Sequence, residues 1–151
     1  MEIYCGTASI FDVNSISNCN ENCLPLSYSP IEYIFYILSP FHEVFTLKKD
    51  NEVIGYAVGN YNDNNFHIMS IGVLDKFRGN GYGNKLMSCI ITHIKKYVEN
   101  ISLYVNAGNT VAINFYQKHG FKIVGDLKNY YKAVPGKINK NGYLMTRIVT
   151  Q

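Results

Sequence analysis

The stretch Phe66-His67-Ile68-Met69-Ser70-Ile71-Gly72-Val73-Leu74-Asp75-Lys76-Phe77-Arg78-Gly79-Asn80-Gly81-Tyr82-Gly83-Asn84-Lys85-Leu86 decides how the chain is read. Apolar residues alternate from Phe66 to Val73, the period of a strand, and a long helical pattern begins near Tyr82. Between them lie glycines at 79, 81 and 83. Amide N–H groups at a helix start have no intrahelical acceptors, and the helix dipole adds partial positive charge there. Glycine lets such a backbone curl tightly and approach a ligand closely, and Arg78 adds a fixed cation. The pattern predicts a diphosphate cradle built from Arg78, Gly79, Asn80, Gly81, Tyr82, Gly83 and Asn84.

Spacing narrows the type of cradle. A dinucleotide fingerprint, G-x-G-x-x-G, counted from Gly79 would need glycine where Asn84 stands. A P-loop ends in Gly-Lys-Ser/Thr, whereas Gly83 is followed by Asn84, Lys85 and Leu86. Both readings fail, and the remaining plain alternative is a glycine-rich turn without a ligand.

Working outward, Met1 to Ser9 suggests a short edge strand, and the Asn-rich segment Asp12 to Cys23 a marginal helix. Pro25 and Pro30 bracket a loop, after which Ser29 caps a helix over Ile31 to Leu38 with Pro30 in its first turn. Val44 to Leu47 and Val53 to Tyr61 read as strands joined at Asp50-Asn51, and the run 62–65 turns the chain into the Phe66–Val73 strand. The helix from Tyr82 is expected to reach Glu99, with Leu86, Ile90, Ile94 and Tyr97 on its buried face. A strand Ile101–Val105, a helix Val111–His119 and a strand Phe121–Tyr131 follow. Lys132 to Asn141, with Pro135 and Gly136, is read as a loop, and Gly142 to Val149 as the closing strand. Hairpins first and alternating helices later imply a mixed sheet with helices on both faces.

A length of 151 residues suits a single domain spanning 1–151. With 47% hydrophobic and 17% charged residues and a net charge of +3, the chain is globular and only mildly basic. That favours an anionic small molecule over nucleic acid. No apolar run is long enough to span a bilayer and no leader pattern opens the chain, so a cytoplasmic protein without membrane attachment is expected. Cys5, Cys19, Cys23 and Cys89 lack the paired spacing of a zinc site and read as free thiols; no metal is expected.

The cradle has a family resemblance. Arg78-x-x-Gly81-x-Gly83 after a strand resembles the R/Q-x-x-G-x-G/A loop of the GNAT acetyltransferases, and Asn109-Thr110-Val111-Ala112-Ile113-Asn114-Phe115-Tyr116-Gln117-Lys118-His119-Gly120-Phe121 is similar to their N-x-x-A-x-x-F-Y-x-K-x-G-F segment. The resemblance covers about Leu24 to Val149. It implies an α/β (α+β) fold with a mixed, mostly antiparallel central sheet of about seven strands and helices on both faces. It also implies acetyl-CoA as cofactor. Amides at Ile71, Gly72 and Val73 would polarise the thioester, and the pantetheine arm would pair where this strand diverges from its successor. Tyr116 matches the tyrosine that donates to the leaving thiolate, and Asn109 the residue that contacts pantetheine or caps the next helix.

Within the family, Leu24-Pro25-Leu26-Ser27-Tyr28 resembles the F-P-V-x-Y loop of the NatE type of N-α-terminal acetyltransferase catalytic subunit. Lys128-Asn129-Tyr130-Tyr131-Lys132 resembles its K-N-Y-Y-K hairpin, and Ile68-Met69-Ser70 its I-M-T triplet. This implies that Leu24, Pro25, Leu26, Tyr28, Met69, Tyr130 and Tyr131 wall a slot for a peptide N-terminus that starts with Met and a hydrophobic residue. The chain departs from that pattern at two places. His67 stands where the relative has tyrosine, and Tyr104 where it has histidine; those two side chains accept the amine proton through water there. Period-two geometry places His67, Met69 and Ile71 on one strand face. His67 is the expected base, because its unperturbed pKa is near neutrality. His42, His93 and His119 read as structural. An acetyltransferase acting on lysine or a small amine, and a non-catalytic subunit of a NatA-type assembly, are the competing readings; an auxiliary subunit and a monomer are both compatible with the residues.

Overall fold

The computed structural model describes residues 2–131 and 140–150. Strands β1 (Ile3–Thr7), β2 (His42–Lys49), β3 (Glu52–Asn62), β4 (Asn65–Val73), β5 (Asn100–Asn106), β6 (Lys122–Leu127) and β7 (Gly142–Ile148) form one sheet. Helices α1 (Val13–Cys23), α2 (Pro30–Leu38), α3 (Tyr82–Ile94) and α4 (Thr110–Lys118) cover it. The sheet order is β1-β2-β3-β4-β5-β7-β6. Among the described residues only β4 and β5 pair in parallel; the other neighbours are antiparallel. The mixed, mostly antiparallel sheet is the one expected.

Adjacent residues on the central strands feed two cores. Val44 and Tyr56 join Ile16, Cys19 and Tyr33 from α1 and α2, while Phe45 and Ala57 join Leu86, Met87, Ile90 and Ile94 from α3. Burial on both faces explains the nearly unbroken apolar run of β3. The β2–β3 hairpin closes at Asp50 and Asn51, with φ of 50° and 69°. Two positive φ values in succession give a turn whose twist matches the strands. Ser29 and Glu32 complete a capping box at α2: Glu32 N donates to Ser29 Oγ (3.2 Å) and Ser29 N to Glu32 Oε2 (2.9 Å).

Three expectations need correction. The helix from Tyr82 stops at Ile94. Glu99 and Asn100 amides donate to Asn64 O (3.3 and 3.2 Å), turning the chain early into β5. Val98 fills the core position assigned to Tyr97, which is 64% exposed. Strand β6 ends at Leu127 rather than Tyr131, where Asn129 adopts φ 56° and Tyr130 N donates to Leu127 O. The loop expected over 132–141 lies outside the described residues except at 140–141.

The third correction concerns the site directly. Val58 pairs with Ser70 and Gly59 with Ile68, so Met69 is an extra residue, a β-bulge in β4. His67, Met69 and Ile71 therefore do not share a face: Met69 packs with the α1/α2 core and Ile71 with the α3 core. Opposite the bulge, a Cβ on Gly59 would collide with the Phe66 ring and lie 2.6 Å from His67 O. Gly59→Ala is expected to cost about 2 kcal/mol, read as a melting temperature lower by about 4–8 °C.

Candidate active site

The parallel pairing of β4 with β5 runs only from Asn65–Asn100 to Ile68–Leu103. Beyond it β4 stays paired with β3 as far as Val73, and β5 stays paired with β7 as far as Asn106. The two strands splay, and the bulge at Met69 begins where pairing ends. The outer edge of β4 from Met69 to Val73, which holds Ile71, Gly72 and Val73, thus offers main-chain groups to something other than β5.

β4 leads through a 3-10 turn, Asp75–Phe77, into the glycine loop. Gly79 and Gly81 hold φ of 78° and 80°, the left-handed region in which a side chain is strained. A Cβ at either would meet nothing within 4 Å. Gly81 is the N-cap of α3, and no side chain caps the amides of the first turn at Tyr82, Gly83 and Asn84. Uncapped first-turn amides at the positive end of a helix suit an anion. Gly83 has a different reason to be glycine: it lies inside α3, and a Cβ would stand 3.2 Å from the Phe115 ring of α4.

Several side chains assigned to the cradle are occupied locally. Arg78 Nε donates to Val73 O (2.9 Å) and Nη1 pairs with Asp75 (3.1 Å). Asn80 Nδ2 donates to Phe77 O and Arg78 O. Asn84 Oδ1 meets His119 Nε2 at 2.8 Å. These bonds tie the side chains to the loop and to α4. Cys23 also packs here, against Gly72; a hydrogen bond from Cys19, helped by Arg78, brings its thiol down to about 7. On α4, Asn109 Oδ1 accepts from Ala112 N (3.1 Å) and so caps that helix. Tyr116 packs on Phe121, and desolvation, with Tyr131 nearby, pushes its phenol up to about 12.

At the head of the splay, His67 and Tyr104 are in ring contact, with centroids 4.6 Å apart. Burial alone lowers the His67 pKa, so the imidazole is neutral at pH 7. Its Nδ1 lies 2.8 Å from Ser102 Oγ. Tyr104 stacks in turn on Tyr130 (5.0 Å), and Tyr130 on Tyr131 (4.9 Å). Burial, Glu32 and Tyr130 together raise the Tyr28 phenol above its ordinary value, so Tyr28 lies within electrostatic reach of the 128–131 turn. Leu26 is 63% exposed. His93 is bonded to Glu43 and His42 to Ser39, in keeping with structural roles.

The residues that fix the slot wall were not singled out in the sequence. Fully buried Asn20 accepts from Tyr33 Oη (2.7 Å) and Tyr28 N (3.1 Å) through Oδ1, and its Nδ2 donates to Tyr56 Oη (2.9 Å). Tyr56 Oη meets Ser70 Oγ at 2.7 Å, next to the bulge. Ser17 Oγ donates to Tyr28 O (2.8 Å). The available signal was a polar pair inside the apolar stripe Val13, Ile16, Ser17, Asn20 of α1. Asn20→Ala removes the partner of buried Tyr33 Oη and of part-buried Tyr28 N and one of the two partners of Tyr56 Oη, and is expected to destabilise the fold by about 3 kcal/mol. Urea unfolding measures this; a loss below about 1 kcal/mol would mean water replaces the amide.

Among the described residues no cluster of three or more His, Cys, Asp or Glu side chains is arranged to hold a metal ion, and no helix is long and apolar enough to cross a membrane. Comparison with known proteins places this geometry. The model of the acetyltransferase (GNAT) family matches residues 13–121. An N-alpha-acetyltransferase of Sulfurisphaera tokodaii is 30% identical over 138 residues, covering 82% of this chain and 83% of that protein. N-alpha-acetyltransferase 50 of Danio rerio is 29% identical over 136 residues, covering 85% and 80%. The crystal structure of Ard1 from Thermoplasma volcanium superposes with a TM-score of 0.83 at 26% identity, covering 100% of both chains.

Proposed function

We propose, from the premise that this chain belongs to the GNAT acetyltransferase family, that it acetylates the α-amino group of protein N-termini. It is an acetyl-CoA-dependent acetyltransferase. The observation that carries the finer reading is the end of β4–β5 pairing at Ile68–Leu103, with His67 and Tyr104 in ring contact there and Tyr130 against Tyr104. The relatives' names, N-alpha-acetyltransferase, support it.

Acetyl-CoA supplies a thioester whose acyl group is ready for attack. The amides of residues 79–84 hold its diphosphate, and Arg78, locked to Val73 O and Asp75, stiffens that loop. The outer edge of β4 would hold the pantetheine arm, and amides at Ile71–Val73 would donate to the thioester oxygen as charge gathers on it. His67 takes the proton of the attacking amine, directly or through water, with Tyr104 closing the other side. Tyr116, with a phenol near 12, is a weaker acid than a thiol of ordinary pKa, about 8.5. Full proton transfer to the thiolate would be uphill by about 4–5 kcal/mol. Its role is therefore a hydrogen bond to the sulfur.

An amine of pKa near 8 is about one-fifth neutral at pH 7.4, and lysine about one part in a thousand, a difference of about 3 kcal/mol. A single lowered histidine meets the first demand and not the second. Leu24, Pro25, Leu26 and Met69 give the slot an apolar lining suited to a Met-hydrophobic start. The test is turnover of Met-Leu, Met-Lys, Ser and Ala peptides by the isolated chain, with an N-blocked lysine peptide as control. Met-Leu is expected to be the best substrate and the lysine peptide slower by about a hundredfold. Equal rates on the blocked lysine peptide would overturn the α-amine assignment, and no turnover of any peptide would favour a non-catalytic subunit.

A further inference from the structure

Cys5 and Cys89 lie far apart in sequence, on β1 and α3, and the fold brings their thiols together. β1 is the edge strand of the sheet, paired with β2, and α3 packs on it. Both cysteines are free, half-buried and packed against the α3 core. Cys5 donates a hydrogen bond to the Cys89 sulfur, which lowers the Cys89 pKa and raises that of Cys5. The pair lines a groove of about 440 Å³ together with Lys85, Ser88, Thr92, His93 and Lys96. His93 is held by Glu43, so the groove presents two lysines beside two thiols. The other two cysteines are placed differently. Cys19 and Cys23 lie on one helix, α1, where residues one turn apart keep their Cβ atoms about 5–6 Å apart. A disulfide needs about 3.5–4.5 Å, so bridging them would unwind the last turn of α1. Cys5 and Cys89 belong to separate elements, and no helical turn fixes their separation.

We infer that Cys5 and Cys89 are a redox-active pair that closes to a disulfide by exchange with a small anionic disulfide, and so staples β1 to α3. The Cys89 thiolate attacks one sulfur of the incoming disulfide, whose S–S bond breaks. The departing thiolate takes up the proton that Cys89 gave up. Cys5, deprotonated in turn, attacks the Cys89 sulfur of the mixed disulfide, and the second small thiol leaves with its proton. Two protein thiols are oxidised and one small disulfide is reduced to two thiols. Lys85 and Lys96 favour an anionic partner in the groove. The bridge closes a loop of about 85 residues, which removes chain entropy from the unfolded state. Neither thiol belongs to the candidate active site, so the bridge forms whether or not that site binds acetyl-CoA.

The probe is excess oxidised glutathione, added to the reduced, folded chain and followed by alkylation, peptide mapping and a thermal melt. A Cys5–Cys89 linkage is expected, with Cys19 and Cys23 left to alkylate. The melting temperature is expected to rise by about 5–10 °C, and dithiothreitol to reverse the rise. Cys5→Ser and Cys89→Ser each abolish the rise, whereas Cys23→Ser keeps it. The mapping itself needs no variant, so a mutant that fails to fold leaves it decisive. A linkage of Cys19 to Cys23 alone, mixed disulfides that never resolve, or alkylation of all four cysteines would each overturn the pairing. A mapped Cys5–Cys89 bridge with no rise in melting temperature would overturn the staple.

Discussion

The Gly81→Val variant is expected to bind acetyl-CoA at least about a hundredfold more weakly than the wild type, with its fold intact. Two effects combine. Holding φ near 80° with a Cβ costs about 1–2 kcal/mol, and a β-branched residue resists that region further. An added Cβ at this position, the N-cap of α3, has no protein atom within 4 Å, so the loss of stability is expected to come mainly from the backbone strain. A branched side chain at the N-cap is then expected to crowd a diphosphate bound at the first-turn amides. Titration calorimetry together with a thermal melt reads both quantities. A variant that melts a few degrees lower yet binds normally would place the diphosphate elsewhere.

His67→Phe is the second large effect. The ring keeps its contact with Tyr104, yet the acceptor is lost, and kcat on a Met-Leu peptide is expected to fall by about 10²- to 10⁴-fold. Burial lowers the wild-type His67 pKa below its ordinary value of about 6.5. The base form therefore predominates at neutral pH, and wild-type activity is expected to be lost as pH falls through that depressed value. A second rise toward pH 8 belongs to the substrate amine and persists in the variant. Tyr104→Phe, which keeps the aromatic ladder, is expected to lose less than tenfold. If Tyr104→Phe were the crippled enzyme and His67→Phe the active one, the assignment of base would be reversed.

What could be read in advance divides along physical lines. The glycine loop was legible because left-handed φ values at Gly79 and Gly81 and an uncapped helix start are local demands written in residue type. The Ser29 cap and the Asp50-Asn51 turn were legible for the same reason. The bulge at Met69 was not, since it arises from the register between β3 and β4, and an alternating pattern reads the same with one residue unpaired. The end of α3 was hidden because Asn64, thirty-five residues from Glu99, captures the chain after Ile94. Asn20 and Ser102 were overlooked because a lone asparagine or serine has no distinguishing pattern; their importance lies in what the fold brings to their hydrogen bonds. Arg78 shows the converse. Its charge was visible, but not that Nε donates to Val73 O and Nη1 pairs with Asp75, which ties the side chain to its own loop.

Parallel calorimetric titrations of the wild-type chain with acetyl-CoA and with S-acetyl-pantetheine, which has the same thioester and no diphosphate, put the central proposition at risk. The cradle requires saturable binding of acetyl-CoA and an affinity for the truncated thioester weaker by about two orders of magnitude or more. Equal affinities, or no binding of acetyl-CoA at all, would contradict it.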